Sequence, residues 1–182
     1  KHCAVELLRA GYRVRGTVRA LPKADAVRAT LAKHCDVTKL EFAEADLTSD
    51  KGWAEAAAGA YGVLHVASPF PLNQPKDEND LINPAVEGTL RVLRAVLAAG
   101  AKRFVQTSST AAILYGHGDS HPQPFTEADW TKLDGSHVSA YAKSKTMAER
   151  AARKFAEGEG RALHFSTINP GFVLGPLLDA DA

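Results

Sequence analysis

Short extended runs alternate with longer helical ones along this chain, and that alternation narrows the possible folds most. Residues 12–18, YRVRGTV, are rich in β-branched and aromatic side chains and read as a strand. So do 37–45, 103–107 and 163–169, and 62–67 reads as a buried strand closed by Ser68-Pro69. Helical segments lie between them. Residues 1–8 carry an apolar stripe of Ala4, Val5 and Leu8 before the stop signal Gly11, and 23–33 follow Pro22. Residues 51–58, KGWAEAAA, form a short helix that Ser49 or Asp50 is placed to cap. Ile82, Val86, Leu90, Leu93 and Leu97 step by three or four residues along a long helix ended by Gly100. Residues 139–156, rich in Ala, Lys, Arg and Glu, make another. Strands alternating with such helices predict an α/β fold: a doubly wound parallel sheet with helices on both faces.

Length and charge exclude several functions. The 182 residues suffice for one ordinary domain, and 45% hydrophobic with 24% charged residues is the composition of a globular protein. A net charge of +1 supplies no field to draw the chain onto nucleic acid or an anionic membrane. No run of 18 apolar residues exists to span a membrane. Cys3 and Cys35 cannot make a disulfide framework and are expected as buried or incidental thiols in a reducing compartment, by default the cytoplasm. The loop 116–123 holds His117 and His121. The chain has no HxxxH on a helix and no Cys/His pair at ligand spacing, so no metal site is expected.

In an open α/β sheet, ligands bind beyond the carboxyl ends of the strands. Here those ends are Thr17-Val18-Arg19, Asp46-Leu47, Ala67-Ser68-Pro69, Thr107-Ser108-Ser109 and Asn169-Pro170-Gly171. Just before the last strand, Tyr141 and Lys145 stand four residues apart, on one helix face. An ammonium beside a phenol favours the phenolate, and such a tyrosine can deliver or accept a proton. Hydroxyls crowded at a strand end can polarise a carbonyl oxygen beside it. The residues alone leave a second reading open: a helix surface with a snorkelling lysine, and a polar strand end with capping hydroxyls. Trp130 is expected to anchor its loop by packing. Phe70 and Tyr115 either line an apolar pocket or belong to the core.

Eight ordered blocks add to this reading. GYRVRGTVR (11–19), ADL (45–47), VLHVASP (63–69), PAVEGTLRVL (84–93), RFVQTSSTAAILYG (103–116), FTEADW (125–130), YAKSKTMAE (141–149) and NPGFVLGP (169–176) span nearly the whole chain. In them the chain resembles an extended short-chain dehydrogenase/reductase of the NAD-dependent epimerase/dehydratase superfamily. Within that superfamily it resembles the dihydroflavonol reductase, cinnamoyl-CoA reductase and bacterial aldehyde or carbonyl reductase group. The resemblance implies a Ser-Tyr-Lys centre: Tyr141 as general acid, Lys145 steadying the phenolate and holding the nicotinamide ribose, Ser109 polarising the substrate carbonyl. It further implies a cofactor lying along Arg19, Lys23, Asp46, Leu47, Val66, Ala67, Ser68, Thr107, Ser108, Pro170, Gly171 and Val173, with Tyr141 and Lys145 at its nicotinamide end. Ala85 stands where many nucleotide-sugar members carry asparagine, which fits the reductase branch better than the epimerase branch.

An NAD enzyme places Asp or Glu at the end of the second strand to bind the ribose 2′-hydroxyl. Here Arg19 and Lys23 stand there and no acid precedes Asp25, so NADP(H) is expected ahead of NAD. The expected function is NADP-dependent reduction of an aldehyde or ketone by a monomer or homodimer. A nucleotide-sugar epimerase or dehydratase, and a dinucleotide-binding regulator without turnover, are the alternatives. The chain starts without Met and just past where the family's first strand and glycine-rich turn would lie. Residues 1–176 are therefore expected to form a partial NAD(P)-binding domain, and 177–182 to open a substrate-binding lobe, as a piece of a longer chain.

Overall fold

The computed structural model describes residues 1–70, 75–118 and 123–179. The elements run α1 (His2–Arg9), β1 (Val14–Val18), a 3₁₀ turn (Leu21–Lys23), α2 (Ala24–Ala32), β2 (Leu40–Glu44), α3 (Trp53–Ala57) and β3 (Gly62–His65). They continue with α4 (Asn79–Ala98), β4 (Arg103–Thr107), a 3₁₀ turn (Thr110–Ala112), α5 (Ala140–Glu157) and β5 (His164–Ile168). Every strand pairing is parallel, with Val14 opposite Leu40 in one pair and His65, Gln106 and Thr167 in one row of the other sheet. This is the Rossmann-like arrangement that the alternation predicted.

The sheet is in two pieces: β1–β2, and β3–β4–β5 in that order. Among the described residues, β1 and β3 each have one strand neighbour. α1 and α2 pack on the first piece through Val5, Leu8, Leu31 and Leu40. α4 and α5 cover one face of the second, around Val92, Leu93, Val96, Phe104 and Phe155, and α3 lies against β1–β2 beside α4, joining that core through Trp53.

Three local expectations are corrected. Residues 62–67 give a four-residue strand of which only His65 is buried, because the face carrying Leu64 has no covering layer among the described residues. Neither Ser49 nor Asp50 caps α3. Gly52 takes that place with φ +86°, and a Cβ there would lie 2.0 Å from the Glu44 carbonyl oxygen. Ser49 instead accepts the Lys51 N–H within the turn. The buried face of α4 runs through Leu81, Ile82, Ala85, Gly88, Thr89, Val92, Leu93 and Val96. Val86, Leu90 and Leu97 flank it, because a Gly88 Cβ would come 2.9 Å from the Leu47 side chain, so the helix turns its smallest residue toward Leu47. Cys3 is exposed and Cys35 half-buried.

Candidate active site

α5 begins at a made cap: Ser139 Oγ accepts the Ala142 N–H at 3.2 Å. Its first turns therefore stand at the carboxyl edge of the sheet with Tyr141 and Lys145 on one face. Lys145 is buried, and its Nζ donates to the Thr107 carbonyl at 3.3 Å while lying 5.9 Å from the Tyr141 ring centre. Burial pushes the Lys145 ammonium below the usual lysine value. The Tyr141 hydroxyl has no hydrogen-bond partner among the described residues, and Phe70 meets the ring edge-on at 5.4 Å. Phe70 is itself 72% exposed, so it stands at the mouth of the crevice and outside the core.

At the end of β4 the chain turns sharply into the 3₁₀ segment. Ser108 and Ser109 are both buried. The Ser108 N–H donates to Ile168 O and the Thr110 N–H to Pro170 O, which ties this turn to the end of β5. Ser109 Oγ accepts the Ala111 N–H at 3.1 Å, and its own hydrogen reaches only toward Pro170 O at 3.5 Å. The hydroxyl is thus positioned by a strong acceptor contact while its proton stays weakly engaged. Ser108 Oγ is buried without a hydrogen-bond partner among the described residues. Thr131 pins the following loop, its Oγ donating to Ala111 O at 2.8 Å.

The cofactor-side residues expected from the sequence fall along the same edge. Arg19 follows β1, is exposed, and has no hydrogen bond or ion pair among the described residues. Lys23 closes the adjacent 3₁₀ turn, which is fastened where Glu44 Oε2 accepts the Leu21 N–H at 3.0 Å. Asp46 sits past β2, accepting from the Thr48 N–H and hydroxyl. Those bonds, with the nearby Arg19 and Arg91 charges, hold its carboxyl below the usual value. Leu47 lies against Gly88, and Val66, Ala67 and Ser68 follow β3. Thr107 ends β4, and Pro170, Gly171 and Val173 follow β5, with Val173 82% exposed.

Below this edge lies a buried polar layer that the sequence reading missed. His65 is 6% exposed and contacts Thr89 Oγ1 at 3.3 Å through Nε2. Thr89 gives its own proton to Ala85 O at 2.8 Å, so the contact needs Nε2 to carry the hydrogen. Burial, with the Lys145 charge, lowers the His65 pKa to about 4, which keeps the ring neutral. Glu149, 2% exposed, accepts from Arg153 and from Asn169. The signal for it was present, since Tyr141, Lys145, Glu149 and Arg153 continue one spacing of four. Trp130 anchors its loop as expected, with the Arg150 and Arg153 guanidiniums over its ring at 5.0 and 5.6 Å. His117 reaches Ile113 O, and His121 lies outside the described residues, as do residues 180–182. Among the described residues no group of three His, Cys, Asp or Glu is placed to hold a metal ion, and no helix is long and apolar enough to cross a membrane.

Known proteins are similar to this chain in sequence and in fold. The chain is 37% identical over 183 residues to dihydroflavonol 4-reductase of Hordeum vulgare, covering 97% of this chain and 50% of that protein. It is 38% identical over 177 residues to a putative anthocyanidin reductase of Ginkgo biloba, covering 93% and 51%. The structure is similar to that of yeast methylglyoxal/isovaleraldehyde reductase Gre2 complexed with NADPH, with a TM-score of 0.81 at 28% identity over 96% of this chain and 55% of the other. The chain thus spans about half the length of the relatives it matches. The sequence model of the NAD dependent epimerase/dehydratase family matches residues 1–181, and the chain belongs to that family.

Proposed function

We propose that the protein of which this chain forms the dinucleotide-binding part is an NADPH-dependent reductase of an aldehyde or ketone. The observation that carries this reading is the Tyr141–Lys145 pair. A hydroxyl without a hydrogen-bond partner among the described residues and a buried ammonium share one helix face, beside buried serines at the carboxyl edge of a parallel sheet. Relatives named as reductases, and a neighbour crystallised with NADPH, support it.

The residues present fit the cofactor. Arg19 offers an exposed guanidinium where a 2′-phosphate would lie, and Ser108 offers a buried hydroxyl without a hydrogen-bond partner among the described residues. Asp46 and Leu47 would take the adenosine end, and Lys145 the nicotinamide ribose. NADPH, when bound, supplies a hydride to the carbonyl carbon. Ser109 Oγ, positioned by the Ala111 N–H, turns its proton toward the substrate oxygen. Tyr141 delivers the phenolic proton to the developing alkoxide. Lys145 stabilises the phenolate left behind, and its burial strengthens that attraction. The phenolate must then be reprotonated from solvent before the next turnover. Phe70, edge-on to Tyr141, is an apolar wall for the substrate. Ala85 keeps the family's epimerase alternative in second place, and the active protein is proposed to be a cytoplasmic monomer or homodimer.

The cofactor phosphate gives a direct check. In the full-length protein, kcat/KM is expected to favour NADPH over NADH. Arg19→Glu should lower that preference by roughly 10- to 100-fold, the scale of a lost charge-assisted contact. Equal values for the two cofactors, or a preference that Arg19→Glu leaves untouched, would contradict this role.

A further inference from the structure

Glu149 is a carboxylate almost wholly removed from water, two helical turns beyond Tyr141 on the same face of α5. Burying such a charge is costly unless each oxygen is engaged, and here both are. Its Oε1 accepts from Arg153 Nε at 2.9 Å and Nη2 at 2.8 Å. Its Oε2 accepts from Asn169 Nδ2 at 2.8 Å. Arg153 Nη2 also donates to Thr167 Oγ1 at 2.9 Å, which ties the same helix to β5.

Asn169 carries the connection onward. Its Nδ2 has two hydrogens, and the second reaches the Ser109 carbonyl at 3.2 Å. Glu149 therefore touches neither Ser109 nor the crevice, yet one amide group links its carboxylate to the Ser109 backbone. Ser109 Oγ is aimed by the turn that its own backbone opens. The two halves of the proposed centre come from different elements: Tyr141 and Lys145 from α5, Ser109 from the end of β4. A chain of short hydrogen bonds running helix, β5 end, β4 end fixes one against the other.

We propose that Glu149 and Asn169 are positioning residues, which set Ser109 against the Tyr141–Lys145 pair. This rests on the reading of Ser109 as the group that polarises the substrate carbonyl. Glu149→Gln keeps the shape, but its amide must face either Asn169 or Arg153 with a donor, so one of those groups loses its acceptor. Asn169→Ala removes the donor to both the Ser109 carbonyl and Glu149 Oε2 and leaves the Glu149–Arg153 pair in place. A displacement of Ser109 of about 1 Å is enough to slow the reaction by up to about 10²-fold.

The test uses the full-length protein with NADPH and whichever of a panel of aldehydes and ketones it reduces fastest. Glu149→Gln and Asn169→Ala should each lower kcat about tenfold or more, with KM for NADPH within about twofold. In a Ser109→Ala background, Asn169→Ala should change kcat by less than about twofold, because the residue it positions is gone. Without substrate or turnover, amide exchange at Ala111 should rise at least about tenfold in both variants while amides of α4 keep their protection. If Asn169→Ala multiplies with Ser109→Ala, or Ala111 exchange is unchanged, the positioning role is overturned and the reading of the site stands. If Ser109→Ala itself leaves kcat unchanged, the role of Ser109 falls and the positioning role with it. Should Glu149→Gln fail to fold, Asn169→Ala alone decides, since it keeps the Glu149–Arg153 ion pair that holds the buried carboxylate.

Discussion

Replacing Tyr141 by Phe in the full-length protein is expected to slow carbonyl reduction by roughly 10²-fold or more, the usual scale for loss of a general acid. The ring that meets Phe70 edge-on and lies 5.9 Å from Lys145 Nζ would remain, so packing and NADPH binding should change little. Only the hydroxyl, which has no partner to release among the described residues, disappears. The contrasting variant is Lys145→Met. It removes a buried ammonium that serves both the phenol and, on the proposed reading, the cofactor ribose, and it should impair turnover and NADPH binding together. Steady-state kinetics with a fluorescence titration of NADPH separate the two patterns. Near-full activity of Tyr141→Phe would remove Tyr141 from its proposed role.

Residues 1–182 expressed alone are expected to self-associate. Among the described residues β1 and β3 each pair on one side only, and the second face of the three-stranded piece exposes Leu64 (44%), Val66 (49%) and Ile168 (57%). These groups lie open to water, so buried unpaired amides are not the main cost. The liability is a row of free strand edges beside apolar surface, a template for pairing with another copy. A parallel strand seated between β1 and β3 would join the two pieces into one sheet, and in the full-length protein those edges should be closed. Sedimentation of the two proteins at equal concentration checks this: oligomers or aggregate for 1–182, a single small species for the full-length chain. A monodisperse 1–182 with a cooperative melt would contradict it.

Much of this was legible in the residues because their signals are local. Each expected strand contains the observed one, and Ser139 and Gly100 mark helix ends by cap and turn chemistry that needs no partner. The Tyr141–Lys145 pair was visible because four residues on a helix always share a face. What was not legible depends on neighbours distant in sequence. Residues 62–67 look buried by composition, yet burial needs layers on both faces of the strand. The register of the α4 stripe was set by Gly88 meeting Leu47, a contact across 41 positions that periodicity alone cannot see. Glu149 carries an ordinary surface residue's identity. Only the arrival of Arg153 and Asn169 around it makes a buried carboxylate tolerable. His65, likewise, reads as one apolar-flanked histidine until Thr89 and Lys145 are placed beside it.

On the proposed function, this family member transfers a hydride to a substrate carbonyl with net oxidation of the cofactor. The most direct measurement supplies the full-length protein with NADPH deuterated at both C4 positions and a carbonyl substrate, and reads the product by mass spectrometry. The expected result is one deuterium on the new carbinol carbon for each NADP⁺ formed. A product without deuterium, or turnover that leaves the cofactor pool unoxidised as an epimerase does, would contradict the account.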